Sequence, residues 1–426
     1  MVVVGAGPAG LTAALTLTAH GLHTTVLEAT DHLGGRAAAQ QVDGFRIAPG
    51  IHLLDCGLPD PAARLDGVEL VPLSRDVLVH AAGRRHRLGA PATGAASARG
   101  TLAATARDGA RAWDRARLGS ALARLGATPV DKLTTRPETT AARALAQRGI
   151  PPRTVETFLR PLLAALLGDP ALGTSSRVAD LVLRGYARDG LSLPAQGLGA
   201  VPYALAAQLP PDTVKLGVRV TAVAIDGVET EHHGRIRARA VVVAAEAAGA
   251  VELLPGLHEP AHLPVTTYYH AAPGSPLGSP TLLLDADRGS SVAYSLVLSD
   301  VHPSFAPSGA ALVATTVLGH RSWGADGPTG IEPALRRRLG ELYRTDCSGW
   351  ELLTVRHVAD AFPAMPPPHV LQRSVRLLHG LYVCGDHRGT GTLRGATVSG
   401  ARAAQALLRD FGLPVQAVPA TAGIAA

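Results

Sequence analysis

Short apolar runs recur along this chain, separated by glycine-rich and polar stretches, and their pattern sets the predicted elements. Val2-Val3-Val4 is a run of strand type that leads straight into Gly5-Ala6-Gly7-Pro8-Ala9-Gly10. An Ala/Leu/Thr segment of helical character follows, and Thr24-Thr25-Val26-Leu27 is a second β-run ending on Glu28. Val42 to Ile47 predicts a hairpin, leading into Ala48-Pro49-Gly50-Ile51-His52. Short β-runs alternate over 68–90, with Arg84-Arg85-His86-Arg87 as the solvated polar return of a hairpin.

From about 95 to 190 the pattern turns helical. Leu159, Leu162, Leu163 and Leu166 share one stripe, and Pro151-Pro152 and Gly168-Asp169-Pro170 punctuate the helices. The stripes read first as core, with a lipid-binding or membrane-docking face as the second reading. A glycine loop at 193–202 feeds a helix over Tyr203 to Leu209, and Val214 to Val223 reads as a strand. A meander turns at Asp226-Gly227 and near His233-Gly234, then ends in Ala240 to Glu246, an apolar run suited to a strand buried on both faces. Residues 261–357 form a second β-rich block, with candidate strands at 265–270, 281–284, 292–297 and 311–316 and an Arg-rich helix from Glu332 to Tyr343. Tyr268, Tyr269 and Tyr294 read as packed side chains with bonded hydroxyls rather than pocket residues. A last buried run, Leu381 to Cys384, ends in Gly385-Asp386, and a helix begins near Gly395.

The chemistry starts at the first glycines. Strand, GxGxxG, helix, second strand and terminal acid form the dinucleotide-binding β-α-β unit in its expected context. Gly5 permits the tight turn, Gly7 lets a pyrophosphate approach the backbone beside Pro8 and Ala9, and Gly10 lets helix and strand pack closely. The helix N-terminus offers N–H groups and a positive dipole end to phosphates. Glu28, eighteen residues after Gly10 and followed by Ala29, has the spacing of the acid that binds ribose hydroxyls. Gly34-Gly35-Arg36 would add backbone donors and a guanidinium near the same pyrophosphate.

With GxGxxG, an acid and then Gly34-Gly35-Arg36, the chain resembles the FAD-dependent amine oxidase and phytoene desaturase superfamily. The resemblance covers roughly residues 1–55, 190–250 and 380–405. It implies an α/β fold: a Rossmann-like FAD-binding domain of the GR2 type, with a mixed α+β substrate domain built from β-strands and a helical insertion. The implied division places FAD-binding parts at 1–60, 191–258 and 369–412, substrate-domain parts at 61–190 and 259–368, and a tail at 413–426. It also implies FAD, with Pro49, Gly50 and Ile51 beside the isoalloxazine ring and Val220 touching the adenine side through its backbone; Cys384 within a buried run and Cys347 near a Ser-Gly turn argue for non-covalent attachment. Ala244, at the end of the buried strand, joins the cofactor set. Gly385 and Asp386 would serve the ribityl or pyrophosphate side, and the N–H groups of Leu393, Arg394, Gly395 and Ala396 the flavin O2 and N1 edge. His52 is put forward as catalytic, for substrate or flavin-proton handling; the alternative is a loop histidine bonded to backbone.

The departures guide the choice of reaction. Thr392 stands where amine oxidases often carry an aromatic residue, Arg394 replaces their Glu, and neither Lys132, read in an inter-helix loop, nor Lys215 is well placed beside the flavin. The expectation is therefore a desaturase or oxidase drawing a hydride from an apolar or polycyclic small-molecule metabolite of the secondary-metabolism kind, with an amine oxidase or an FAD-dependent isomerase as alternatives. No second GxGxxG is present, so O2, a quinone or a separate redox protein would take the electrons.

Composition removes other classes. In 426 residues, 46% are hydrophobic and 17% charged, which excludes a disordered chain. The net charge of +6 is mild, and no basic run carries interleaved aromatics, so nucleic acid is not an expected partner. Cys56, Cys347 and Cys384 are far apart and without ligand spacing, arguing against a metal site and for a reducing cytoplasm. No membrane span is expected, peripheral membrane contact stays open, and oligomeric state is not readable.

Overall fold

The computed structural model describes residues 1–48, 50, 54–55, 67–89, 109–319, 323 and 325–414. His52, Pro49, Ile51 and Cys56 lie outside the described residues.

A six-stranded sheet runs in the order Val214–Lys215, Thr25–Leu27, Val2–Val4, Val241–Val243, Leu381–Val383 and Arg376–Leu378. All neighbours are parallel except the last pair. Val3 pairs with both Val26 and Val242, and Val242 with Tyr382. The apolar runs are continuous because the sheet is covered twice. Val3, Val242 and Tyr382 face the helices Pro8–Ala19 and Leu393–Asp410. Val2, Val4, Val241 and Val243 face Val228 of an antiparallel three-stranded meander and Ala250 of the helix Ala247–Leu253.

The strand read over Val214 to Val223 is two strands. Gly217, at φ +69, breaks it. Val214–Lys215 completes the parallel sheet, whereas Val220–Ala224 opens the meander. The helix read from Tyr203 begins earlier, at Ala200–Ala206, and Lys132 sits inside a short helix, Val130–Thr134, rather than in a loop. Arg84 to Arg87 belong to the strand Arg84–Gly89.

A seven-stranded sheet joins Glu351–Pro363, His262–Ala272, Ala311–Leu318, Tyr294–Val297, Leu283–Asp285, Asp76–Ala81 and Arg84–Gly89. One face packs on the helical block through Tyr269, Tyr294 and Leu296, which meet Phe158, Leu162 and Tyr186. The other face packs on the helix Glu332–Tyr343 through Leu335, Leu339 and Leu342. The hydroxyls of Tyr268 and Tyr269 donate to the carbonyls of Pro328 and Ala48, so both rings are packed structure, as their reading anticipates. The thirteen-residue strand Glu351–Pro363 has no counterpart among the predicted strands, because polar residues interrupt it and much of it is only half-buried. Among the described residues, no helix is long and apolar enough to cross a membrane.

Candidate functional site

The carboxyl ends of the parallel strands converge on one crevice, where an open α/β sheet holds its ligand. Gly5 leaves the first strand at φ +106, and a Cβ there would lie 2.8 Å from the Ala244 carbonyl oxygen. Gly10 is required for packing, since its Cβ would fall 2.0 Å from the Gly5 carbonyl oxygen. Gly7 differs from both. Its φ is −76, and a Cβ would meet nothing nearer than the Gly34 carbonyl oxygen at 4.0 Å. Pro8 begins the helix at a position where its missing N–H costs nothing.

Glu28 ends the second strand, almost fully buried. Its Oε2 accepts from the Ala6 N–H at 2.8 Å, and Oε1 accepts from the Thr30 N–H at 3.0 Å and the Thr30 hydroxyl at 2.9 Å. Three donors fix the carboxylate at the crevice wall.

The Gly34-Gly35-Arg36 turn lies across from the first helix. The Gly34 N–H donates to the Ala6 carbonyl at 3.1 Å, and a Cβ on Gly35 would come within 4.0 Å of the Gly7 Cα. Two bare glycine backbones thus face one another across a gap that side chains would fill. Arg36 donates through Nη2 to Asp386 Oδ1 at 2.5 Å, and through Nη1 to the carbonyls of Asp360 at 3.2 Å and Ala361 at 3.1 Å. Burial works against the guanidinium charge, but Asp386, with Asp360 and Glu246, outweighs it and the pKa is raised.

At the third segment, Gly385 adopts φ +148 and donates its N–H to the Ser399 hydroxyl at 2.9 Å. The Thr392 side chain caps the last helix by accepting from the Gly395 N–H at 3.0 Å, and the Thr392 carbonyl accepts from the Ala396 N–H at 2.9 Å. Two of the four amides assigned to a ligand are therefore already engaged by the cap. Gly395 is a packing glycine: its Cβ would sit 1.9 Å from the Thr390 carbonyl oxygen.

A cavity of about 710 Å³ links these parts. Gly5, Gly7, Pro8, Ala9, Glu28, Ala29, Gly34, Gly35, Arg36, Val220, Ala244, Gly385, Asp386, Leu393, Arg394 and Ala396 all line it, whereas Gly10 and Gly395 stand behind the wall. Gly50, at φ +80, lies instead against Thr267.

The cavity also takes in residues that sequence reasoning missed. Leu166, Leu198, Ala361 and Phe362 form an apolar section. Leu166 had a readable signal, since it belongs to the predicted leucine stripe yet is less buried than Leu159, Leu162 and Leu163. Phe362 had none, because its strand was not predicted. Glu246 lines the cavity too; partial burial, then the neighbouring Asp360, hold its carboxyl above the usual range. His387 adjoins Asp386 but is buried with neither ring nitrogen bonded, and desolvation pushes it down to about 4.

Elsewhere, His80, Asp285 and Asp287 bring three ligand-type atoms within 4.8 Å of one another. Arg338 already donates to both carboxylates at 2.7 Å, so a cation occupies the place a metal would take.

Comparison with known proteins agrees with this architecture. A 50-residue stretch is 61% identical to putrescine oxidase from Kocuria rosea; it spans 12% of this chain and only about a tenth, 10%, of that relative's length. An oxidoreductase from Methanosarcina mazei superposes with a TM-score of 0.68 at 17% identity, covering 94% of this chain and 98% of that one. Reduced UDP-galactopyranose mutase gives a TM-score of 0.67 at 16% identity, over 96% of this chain and 95% of that one. The family model for flavin containing amine oxidoreductase matches residues 8–408. Nearly the whole chain answers to that model, and the protein accordingly belongs to the flavin-containing amine oxidoreductases, an enzyme family of FAD-dependent oxidoreductases.

Proposed function

We propose that this enzyme holds FAD non-covalently in the 710 Å³ cavity and draws a hydride from a C–H bond of an apolar or polycyclic small molecule. The observation that carries the reading is the facing pair of bare backbones, Gly7 and Gly35, inside one cavity that also reaches Glu28, Arg36, Asp386 and the start of the last helix. A gap that a Cβ would fill fits a pyrophosphate lying against two chains.

When bound, FAD supplies the hydride acceptor. The chain's own residues do the rest. Glu28 accepts from ribose hydroxyls with the lone pairs left on its fixed carboxylate. The Pro8–Ala19 helix directs its N-terminal dipole at the phosphates. Arg36 adds positive charge, held in place by Asp386. Leu393 and Arg394 present the N-terminus of the last helix to developing negative charge at the ring. Leu166, Leu198 and Phe362 exclude water and offer apolar contact to a substrate. Among the described residues, no Cys, His, Tyr or Lys lines the cavity, which supports non-covalent attachment.

The domain division is part of the proposal. Segments 1–60, 191–258 and 369–412 as the cofactor part are supported by the parallel sheet, to which all three contribute strands. Segments 61–190 and 259–368 as the substrate part are supported by the seven-stranded sheet and its helical block. O2, a quinone or a separate redox protein accepts the electrons.

A second reading, an amine oxidase, is favoured by the short putrescine oxidase match. Anaerobic mixing decides between them. Flavin bleaching by an apolar cyclic or polyene substrate, and not by an amine panel, is the expected result; bleaching by amines alone overturns it.

A further inference from the structure

The helical block holds a second cavity, of about 620 Å³, which shares no lining residue with the first. Its floor is apolar. Leu118, Leu122, Leu159 and Leu183 are all buried and come from the helix Gly109–Ala127, the turn Val155–Leu159 and the helix Ser176–Asp189. Its other lining residues include four cations: Arg124, Lys132, Arg136 and Arg148.

Among the described residues, no acidic side chain lines this cavity beside those cations. Arg136 donates to Asp180 Oδ2 at 2.8 Å, and Arg148 donates to Asp180 Oδ1. Two guanidinium groups thus share one buried carboxylate. Lys132 and Arg124 add further positive charge, while Asp114 and Asp131 on the same helices do not line the cavity. Burial, and then the neighbouring Arg136, push Arg148 down to about 10. Arg124, Lys132 and Arg136 are exposed and only Arg148 is partly buried, so the cationic rim stays accessible to an anion from solvent.

We propose that this cavity binds a single-chain anionic amphiphile, its carboxylate at the cationic side beside Arg148 and Lys132 and its alkyl chain over the leucine floor. A carboxylate supplies a counter-charge through charge-assisted hydrogen bonds, and the chain covers apolar surface. A neutral chain gains only the second term, and a cationic one is repelled.

The test is calorimetric titration of the FAD-loaded enzyme with laurate below its micellar concentration. Saturable one-to-one binding is expected, with no change in flavin content or absorption. Lys132→Glu and Leu122→Trp should each weaken it by roughly tenfold or more. Lys132 is exposed, so its variant decides the matter even where Leu122→Trp fails to fold. Dodecanol binding as tightly as laurate, laurate binding unchanged in Lys132→Glu, flavin displaced by laurate, or uptake by anionic vesicles without any monomer binding would each overturn the proposal.

Discussion

Arg36 Nη2 and Asp386 Oδ1 lie 2.5 Å apart, although 350 positions separate the residues in the chain. The same guanidinium holds the carbonyls of Asp360 and Ala361. One side chain therefore ties the Gly34-Gly35 turn, the end of the long sheet strand and the segment after the strand Leu381–Val383 together at the crevice.

Removing the carboxylate leaves Arg36 with its backbone acceptors and only the weaker fields of Asp360 and Glu246 as counter-charge. Asp386→Ala should cost roughly 2–3 kcal/mol in urea unfolding and raise the FAD dissociation constant at least tenfold. Asp386→Asn keeps an acceptor and should lose less. An unchanged dissociation constant in both variants would remove Asp386 from the site.

The glycines separate folding from ligand binding. Gly7→Ala meets open space at an ordinary φ, so the apo-protein should melt within a degree or two of wild type yet retain little flavin. Gly400→Ala places a Cβ 2.1 Å from the Ala9 carbonyl oxygen, between the first and last helices. That variant should lose stability with or without flavin. Melting curves and flavin absorbance of purified protein read both, and full flavin content in Gly7→Ala would count against the cradle.

His387 predicts an acid limit. It is buried among Asp386, Arg388, Arg36 and Arg373, and desolvation lowers it from 6.5 to about 4. A base lowered in the folded state binds protons first in the unfolded chain. Its stabilising effect is complete above pH 6.5 and is lost as pH falls through 4, by up to roughly 3 kcal/mol. His387→Phe should flatten the fall in unfolding free energy between those pH values. An unaltered slope would show that the imidazole does not titrate as placed.

Tyr269 holds Ala48, which directly precedes the residues that the family resemblance assigns to the ring. Its buried hydroxyl donates to the Ala48 carbonyl at 2.5 Å. Tyr269→Phe leaves that carbonyl short of a donor and should cost about 1–2 kcal/mol. If the 48–52 segment borders the flavin, the bound absorption spectrum should shift as well, with FAD affinity nearly unchanged. A loss of stability with an identical spectrum would mark Tyr269 as scaffold alone.

What the sequence determined by itself was local. Val2 to Gly10 carries strand, turn and helix start within nine residues, and the period, the glycines and Pro8 each act over a few positions. The strands at 265–270 and 311–316 and the helix Glu332–Tyr343 were legible for the same reason: an apolar period or a cluster of helix formers needs no partner to be seen. Tertiary structure alone decided that Gly217 divides a β-rich stretch between two sheets, and that a polar-interrupted run becomes the strand Glu351–Pro363 along His262–Ala272. It also decided which glycines line the crevice and which merely allow contact, and it paired Arg36 with Asp386. Those outcomes depend on which surfaces meet after hundreds of intervening residues have packed, and packing is a property of the assembled neighbours rather than of any one segment.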